Sequence, residues 1–416
     1  MRYSVFSLLR QARAGNTGWP PAWRKAQPKP AYDVVIVGGG AHGLATAWAL
    51  ARTHGITNVA VVEKGWIGSG NSARTTTILR SSYLQPALLT LHDRALTLWE
   101  GLTAELNFNL MLNQQGVLQL FHSARQRDLY ARRGNAMRLA GIEAELLDRD
   151  ELRPVAPMLD FDNARFPVLG GLLQRRGATL RHDAVVWGYA RAADSRGVDI
   201  IESCEVTGFR IRNGRVDGVE TSRGVIGAKT VALAVSGNSG RVAAMAGLRL
   251  PLETLSLQAF VTESVAPLLP GVLTFGAGHF YVSQSERGGL VFGGDIDGYN
   301  SYAQRGNLPI VEGVAEGGMA LMPMLGRLRM LRSWGGLCDM SMDGAPIIDR
   351  TPVEGLLLSA GWGQDAFKAT PAAGDCLAHL IATGAPHPDA AAFRLDRFAT
   401  GHMIDEKGRG PAPYLH

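Results

Sequence analysis

The stretch YDVVIVGGGAHGLATAWALARTHGITNVAVVEKG, residues 32–65, decides the fold. A short apolar run ends at three glycines, a helical pattern follows, and a second apolar run ends in Glu63. Gly38, Gly40 and Gly43 fit the spacing G-x-G-x-x-G. Glu63 follows Gly43 by twenty residues, the spacing of an acid that binds a ribose hydroxyl. The stretch therefore predicts a strand–turn–helix–strand unit that binds a dinucleotide.

Each glycine of this pattern has a physical reason. Gly38 allows the tight turn, Gly40 lets the backbone approach a pyrophosphate, and Gly43 lets the helix pack closely on the strand. The helix N-terminus then faces the negative charge of the phosphates. The alternative is a glycine-rich turn in an ordinary α/β protein. That alternative gives no reason for the spacing between Gly43 and Glu63.

The composition is that of a globular protein long enough for two domains. The chain has 416 residues, of which 46% are hydrophobic and 19% charged. The formal net charge is +5 and the basic residues are scattered, which argues against a nucleic-acid partner. No apolar run approaches the roughly 20 residues of a membrane helix.

The cysteines and the N-terminus bear on the compartment. Cys204, Cys338 and Cys376 are too few and too far apart to predict a disulfide framework or a metal site. The apolar patch near the N-terminus is interrupted by Arg10 and Arg13, which is unlike a signal peptide. We therefore expect a cytoplasmic protein without a metal.

The remaining sequence predicts that the nucleotide unit is completed by distant segments. A three-stranded meander with a turn at Asn213-Gly214 returns the chain to it. We expect an α/β fold: a Rossmann-like domain with an inserted mixed β-sheet domain and a ligand pocket between them. The predicted divisions are an arm (1–30), a nucleotide domain in three parts (31–100, 170–248, 334–390), a substrate domain in two parts (101–169, 249–333) and a tail (391–416).

Local patterns predict the main helices and strands. The predicted helices begin at Gln85, cover 125–139, follow His182, and extend over 310–331, with a closing helix before residue 384. The predicted strands cover 34–37, 59–62, 116–121, 206–211, 216–221, 230–235, 255–262, 280–284, 289–293 and 356–359.

Five motifs together resemble one family. They are VGGGAHGLATA (37–47), GSGNSARTTTILRSSY (68–83), RHDAVVWGYA (181–190), WGGLCDMSMDGAPIID (334–349) and GWGQDAFKATP (361–371). The chain resembles, over nearly its whole length, the β subunits of heterotetrameric sarcosine oxidases, which are FAD-dependent amine oxidases of the glycine oxidase-like type.

The resemblance implies an enzyme that acts on the CH–NH group of its donor with oxygen as acceptor. Such a β subunit holds noncovalent FAD, where sarcosine is oxidised to glycine. It also carries FMN covalently on a histidine, which falls on His182, and FMN passes the electrons to O2 to give H2O2. The implied partners are α, γ and δ subunits, and tetrahydrofolate in the α subunit yields 5,10-methylenetetrahydrofolate.

Three catalytic residues are implied by the same resemblance. Arg80 and Lys368 match a basic pair that holds the substrate carboxylate, and Tyr281 matches an aromatic residue of the substrate pocket. A cationic clamp offsets the cost of desolvating a carboxylate and orients the substrate. The alternatives are a solvated charge for Arg80, a surface lysine for Lys368 and a core tyrosine for Tyr281.

The expected cofactor-binding residues come from the nucleotide motif, the loop after it, His182 and the C-terminal motif. On sequence alone, His182 near a helix start is more often structural. We expect an ordinary buried thiol at Cys338. The full set is Gly38, Gly40, Ala41, His42, Gly43, Glu63, Lys64, Ser69, Gly70, Asn71, Ser72, Arg74, Thr76, His182, Val206, Gly361, Gly363, Phe367 and Lys368.

Two departures from the family pattern concern the substrate. The family has G-T-G-G-F-K before the lysine, whereas this chain has Gly363-Gln364-Asp365-Ala366-Phe367-Lys368. Ser82 stands where asparagine is common. The alternatives are therefore a β-like subunit of a proline, hydroxyproline or opine dehydrogenase, a non-catalytic FAD-binding scaffold, and a monomeric oxidase.

Overall fold

The computed structural model describes residues 4–162 and 165–406, which form ten α-helices and sixteen β-strands. The helices are α1 Val5–Arg13, α2 Ala41–Thr53, α3 Pro86–Glu105, α4 Ala124–Leu139, α5 Arg149–Val155, α6 His182–Asp194, α7 Ser239–Ala244, α8 Leu308–Leu321, α9 Thr370–Thr383 and α10 Arg397–Thr400. The first eight strands are β1 Ala31–Val37, β2 Val59–Val62, β3 Val117–Phe121, β4 Glu145–Asp148, β5 Gly170–Gln174, β6 Asp199–Ile201, β7 Val206–Arg212 and β8 Arg215–Thr221. The others are β9 Gly224–Leu233, β10 Leu252–Ser264, β11 Val272–Phe275, β12 Phe280–Gln284, β13 Gly289–Ile296, β14 Met330–Ser341, β15 Ile347–Arg350 and β16 Leu356–Ala360.

The first sheet is built around the glycine-rich unit. Its strand order is β15-β16-β9-β1-β2-β6, and the hairpin β7–β8 extends it through β9. The strands β16, β9, β1, β2 and β6 pair in parallel, so their carboxyl ends meet at one edge. Ligands of open α/β sheets bind at this edge.

Two apolar cores enclose the first sheet. Its strands are hydrophobic on both faces, as expected for parallel strands covered on each side. The helices α2, α3, α6 and α9 cover one face, where Leu44, Trp99 and Tyr189 are buried. The other face packs in a second core that includes Tyr32, Val35 and Val231.

The second sheet has the order β14-β10-β13-β12-β11-β3-β5-β4. Its pairs are antiparallel except for β11 with β3. Phe260, Phe275 and Phe280 pack in its core against α8 and the segment around α5. The predicted α/β fold, with an inserted mixed sheet, is confirmed.

The structure places several elements differently from the sequence prediction. Gly170–Gln174 pairs with β3 and β4, so it belongs to the second sheet and not to the nucleotide domain. Met330–Ser341 pairs along its length with β10, which moves the expected crossing at residue 334 to the end of this strand. The segment contains Gly335-Gly336 and lacks a clear alternation, so its pairing depends on β10.

The helix predicted over 310–331 is shorter than expected. α8 ends at Leu321, a 3-10 turn follows, and the chain is already in β14 by Met330. The arm contains a helix, α1, with Phe6 83% exposed, and Trp23 packs on the first core. Within the described residues, no helix combines the length and apolar character needed to cross a membrane.

Candidate active site

A cavity of about 310 Å³ lies between the carboxyl edge of the first sheet and the second sheet. Its lining includes the glycine-rich turn of the first sheet and Tyr281 and Cys338 of the second. Fifteen of the predicted site residues line it: Gly38, Gly40, Ala41, His42, Glu63, Lys64, Gly70, Asn71, Ser72, Arg74, Thr76, Val206, Tyr281, Gly363 and Phe367. Glycine and polar residues in this lining suit a dinucleotide.

The turn after β1 depends on glycine at two positions. Gly38 has φ +110°, and a Cβ there would lie 2.4 Å from the carbonyl oxygen of Ala234. A Cβ on Gly43 would lie 2.0 Å from the carbonyl oxygen of Gly38. Gly43 does not line the cavity, so its contribution is the close packing of α2 on the turn.

Glu63 binds the turn as well as lining the cavity. Its Oε2 accepts a hydrogen bond from the amide of Gly39 at 2.9 Å, and its Oε1 accepts one from the amide of Gly65 at 2.9 Å. The carboxylate is therefore held at the end of β2 with its remaining acceptor capacity beside the cavity. This geometry suits the predicted bond to a ribose hydroxyl.

The N-terminus of α2 opens toward the cavity. Its N-cap is Gly40, which offers no side-chain acceptor, and the amide of Ala41 donates to Oγ of Ser72 at 2.9 Å. The first amides of a helix attract negative charge, and no acidic residue lies in the first turn. The site therefore fits a pyrophosphate in shape and in electrostatics.

Asn71 and Arg74 join the loop after β2 to the second sheet. The Asn71 side chain donates to Oγ of Ser236 at 2.8 Å and accepts from the amide of Leu337 at 2.9 Å. The carbonyl of Arg74 accepts a bond from the indole of Trp334 at 2.8 Å. These bonds close the cavity on the side of β14.

Tyr281 and Cys338 lie at the end of the cavity near the second sheet. Burial raises the pKa of Tyr281 to about 12 and that of Cys338 to about 12. Both groups are therefore protonated at neutral pH. A neutral thiol is a weak nucleophile, which agrees with the expected ordinary buried cysteine.

Arg80 and Lys368 lie together, as predicted, but outside the cavity lining. Lys368 Nζ is 2.6 Å from Oδ1 of Asp365, and Arg80 Nη2 is 3.9 Å from the same oxygen. Burial opposes the charge on Asp365, but Lys368 and Arg80 outweigh it and lower the pKa of this carboxyl well below its ordinary value. A protein carboxylate thus lies between the two cations predicted to hold the substrate carboxylate.

Aromatic and imidazole rings surround this ionic cluster. The Arg80 guanidinium lies 4.5 Å from the centre of the Tyr83 ring, and Tyr83 stacks on His92 at 4.3 Å. Burial lowers the pKa of His92 to about 3, so the ring is neutral at physiological pH. Both His92 ring nitrogens are buried and make no hydrogen bond to any residue that the structure describes.

His182 is the first residue of α6, as predicted, and lies outside the cavity lining. Its neighbours Arg181 and Asp183 form an ion pair. Burial lowers the pKa of His182, and Asp183 opposes this effect. The imidazole is therefore biased toward the neutral form, which is the nucleophilic one.

Two other predicted cofactor residues support the cavity from outside its lining. The Ser69 carbonyl accepts from the Arg74 guanidinium. The amide of Gly361 donates to Oδ2 of the buried Asp339 at 2.7 Å. Both residues shape the turns that carry cavity residues.

Sequence reasoning missed a group of cavity residues after β9. The segment from Ala234 to Met245 contributes Val235, Ser236, Asn238, Arg241 and Val242 among others. The signal was available in part: β9 was predicted as a strand of the nucleotide domain, and residues beyond the carboxyl end of a strand next to β1 face the ligand.

The chain is similar to known flavoproteins over its full length. The family model "FAD dependent oxidoreductase" matches residues 33–380. The β subunit of sarcosine oxidase from Rhizobium meliloti (strain 1021) is 66% identical over all 416 residues, covering 100% of both chains. The Rhodobacter capsulatus sarcosine oxidase β subunit is 46% identical and covers 97% of this chain and 98% of its own.

A solved structure agrees with the fold. The crystal structure of L-proline dehydrogenase from P. horikoshii superposes with a TM-score of 0.85 at 26% identity. The match covers 91% of this chain and 100% of that one. The two-sheet architecture is therefore shared with that enzyme.

Proposed function

The chain belongs to the FAD dependent oxidoreductases and, within them, to the sarcosine oxidase β subunits, and we propose that it oxidises sarcosine at a noncovalent FAD. The observation that carries this is the cavity lined by both the glycine-rich turn and Tyr281. With O2 as the electron acceptor, the products are H2O2, glycine and the oxidised N-methyl carbon, which is released as formaldehyde or, when tetrahydrofolate is present in the α subunit, leaves as 5,10-methylenetetrahydrofolate.

The residues present fit FAD. The turn at Gly38 leaves no room for a Cβ, the amides at the start of α2 face the cavity, and Glu63 lies at the ribose spacing. When bound, FAD supplies the hydride acceptor for the amine substrate. The chain's own residues bind it, exclude water and orient the substrate.

We assign the substrate carboxylate to the cluster of Arg80 and Lys368. Both side chains are largely buried, 19% and 10% exposed, so a carboxylate there interacts in a medium of low dielectric constant. Tyr281 lines the cavity from the second sheet, where its neutral hydroxyl offers a hydrogen bond. Together they orient the substrate without an added acid or base.

We assign the covalent FMN to His182. Burial lowers the pKa of His182, at the start of α6, and so favours the neutral ring that a nucleophilic attachment requires. Electrons reach O2 through this second flavin in the proposed scheme. We further propose that the chain has partner subunits, because the similar proteins are named as β subunits. By the family resemblance these are α, γ and δ subunits, and the complex is cytoplasmic.

The test is to purify the chain with its co-expressed subunits, denature it in acid and examine the peptide that contains His182. We expect the mass of FMN on that peptide and free FAD in the supernatant. His182→Asn is expected to release all flavin while keeping FAD binding in the native protein. Only free FAD from the unmodified chain would contradict the two-flavin assignment.

A second candidate is a dehydrogenase acting on proline or a related secondary amino acid. The observation that favours it is the similarity to the L-proline dehydrogenase structure, at a TM-score of 0.85. The carboxylate and secondary amine are common to both substrates, so the clamp does not separate them. Turnover measured with sarcosine and with proline distinguishes the two candidates. A strong preference for proline would show that proline, not sarcosine, is the substrate.

A further inference from the structure

Asp365 is the residue of the candidate site whose presence the proposed function does not explain. It lies in the 3-10 turn Gly363–Asp365, and its side chain is 20% exposed. Gln364 and Ala366, on either side of it, line the cavity, whereas Asp365 does not. Its Oδ1 lies beside Lys368 Nζ at 2.6 Å and Arg80 Nη2 at 3.9 Å.

The turns that carry Asp365 and Lys368 are held rigidly. The amide of Asp365 donates to the carbonyl of Trp362 at 2.9 Å. The carbonyl of Lys368 accepts a bond from the buried indole of Trp99 at 2.8 Å. Arg80 is fixed by bonds from Nη1 to the carbonyl and hydroxyl oxygens of Ser82 at 2.8 and 3.1 Å.

The charges around this point add to one net positive charge in the described part of the chain. Arg80 and Lys368 supply two positive charges and Asp365 one negative charge. His92 from α3 and Tyr83 are uncharged at neutral pH, because burial lowers the pKa of the imidazole and raises the pKa of the phenol. Arg133 from α4 and Glu406 form an ion pair at 3.1 Å and cancel.

We propose that Asp365 is a specificity-determining residue that restricts the clamp of Arg80 and Lys368 to substrates with a single carboxylate. The inference rests on the proposed function in placing the substrate carboxylate at this clamp. One ligand carboxylate neutralises the cluster. A second would be placed against Asp365 without a cation to match it, and like charges at a desolvated contact are strongly unfavourable.

The excluded class is that of small secondary amines with two carboxylates, such as iminodiacetate. An amine without a carboxylate leaves the cluster with its positive charge uncompensated, so it is also a poor ligand. Asp365 thus disfavours both ligands with two carboxylates and ligands with none.

The test uses the flavin-loaded protein with its subunits and compares one-carboxylate with two-carboxylate ligands. Acetate and malonate are titrated at fixed ionic strength, and their Kd values are read from the flavin absorbance. Turnover is compared for sarcosine and iminodiacetate. The variants are Asp365→Asn, which removes the charge, and Asp365→Glu, which keeps it. Asp217→Asn is the matched control at a surface ion pair.

We expect the unmodified protein to bind acetate at least about tenfold more tightly than malonate, the ratio that corresponds to about 1.4 kcal/mol. In Asp365→Asn this preference for acetate over malonate is expected to fall about tenfold. In Asp365→Glu it is expected to stay unchanged. The kcat/KM ratio of iminodiacetate to sarcosine should rise in parallel in Asp365→Asn.

Equal affinity of the unmodified protein for acetate and malonate would overturn the inference, even if Asp365→Asn does not fold. An unchanged ratio in Asp365→Asn, or an equal shift in Asp217→Asn, would do the same. Failure of the proposed function looks different: sarcosine would not be oxidised by the unmodified protein, while the acetate-to-malonate ratio would still respond to Asp365.

Discussion

The side-chain amide of Asn71 pairs with both backbone polar groups of Leu337, which lies 266 residues further along the chain. Asn71 follows the nucleotide unit, and Leu337 lies in β14, an edge strand of the second sheet. Asn71 lines the cavity, as do Gly336 and Cys338 on either side of Leu337. The two sheets are thus connected at the point where the cofactor is expected to lie.

Asn71→Ala should weaken both the fold and FAD binding. Its loss leaves part-buried backbone groups of Leu337 without partners, at a cost of about 1–3 kcal/mol. Asn71→Asp should be worse, because it retains the acceptor but places a negative charge against the Leu337 carbonyl. Thermal unfolding and fluorescence titration with FAD measure these effects. Equal behaviour of both variants and the unmodified protein would contradict the bridging role.

Gly43→Ala should prevent correct packing of α2 and reduce FAD content. The added Cβ would lie 2.0 Å from the carbonyl oxygen of Gly38, so the helix must shift, with an expected loss of about 3 kcal/mol. Gly101→Ala is the matched control: it lies within α3 with no atom within 4 Å of the new Cβ. The control should be neutral or more stable by up to about 1 kcal/mol, measured by chemical denaturation.

Lys368→Met should lower kcat/KM for sarcosine by about 100-fold while FAD remains bound. The change removes a desolvated cation from the proposed clamp, and a lost charge-assisted bond of this kind costs about 2–3 kcal/mol. Lys229→Met is the control, since that ammonium is 78% exposed in a surface pair with Asp33. Steady-state kinetics with matched flavin content decide. Unchanged kinetics in Lys368→Met would remove this residue from the site.

His92→Phe should reduce the loss of stability in acid. The folded-state pKa of His92 is about 3, below the usual value of about 6.5 in the unfolded chain. Between these values the unfolded chain binds a proton that the folded chain does not, so stability falls as pH falls by up to about 1.4 kcal/mol per pH unit. Above pH 6.5 this contribution is constant.

The measurement for His92→Phe is the free energy of unfolding at pH 5 and at pH 7.5. Phenylalanine retains the stack on Tyr83 and removes two buried nitrogens that have no hydrogen-bond partner among the described residues. The difference between the two pH values should therefore be smaller in the variant than in the unmodified protein. An identical difference would show that His92 does not contribute to acid sensitivity.

His182 shows what a local sequence pattern can predict and what it cannot. The motif predicted a histidine at a helix start, and α6 begins at that residue. Its lowered pKa, however, comes first from burial, not from the helix terminus. Burial depends on how α6 packs against the rest of the chain, and no local pattern reports that packing.

The sequence by itself determined the glycine-rich unit, with the strand before it, the helix after it and the second strand that ends before Glu63. These features follow from short-range requirements: a glycine where a Cβ has no room, a helix start that faces the ligand, and apolar runs that form buried strands. They are encoded within about 30 residues of one another, so their pattern can be read directly from the chain.

Only the tertiary structure decided the pairing of β14 with β10, the cavity residues after β9 and the position of Asp365 between Arg80 and Lys368. Arg80 and Asp365 are 285 positions apart, and the sequence showed only that an acid replaced a small residue. Whether that acid faces solvent, cofactor or cations depends on how two turns pack across the core. Long-range packing determines these charge contacts, because electrostatic interactions depend on distance and burial rather than on separation along the chain.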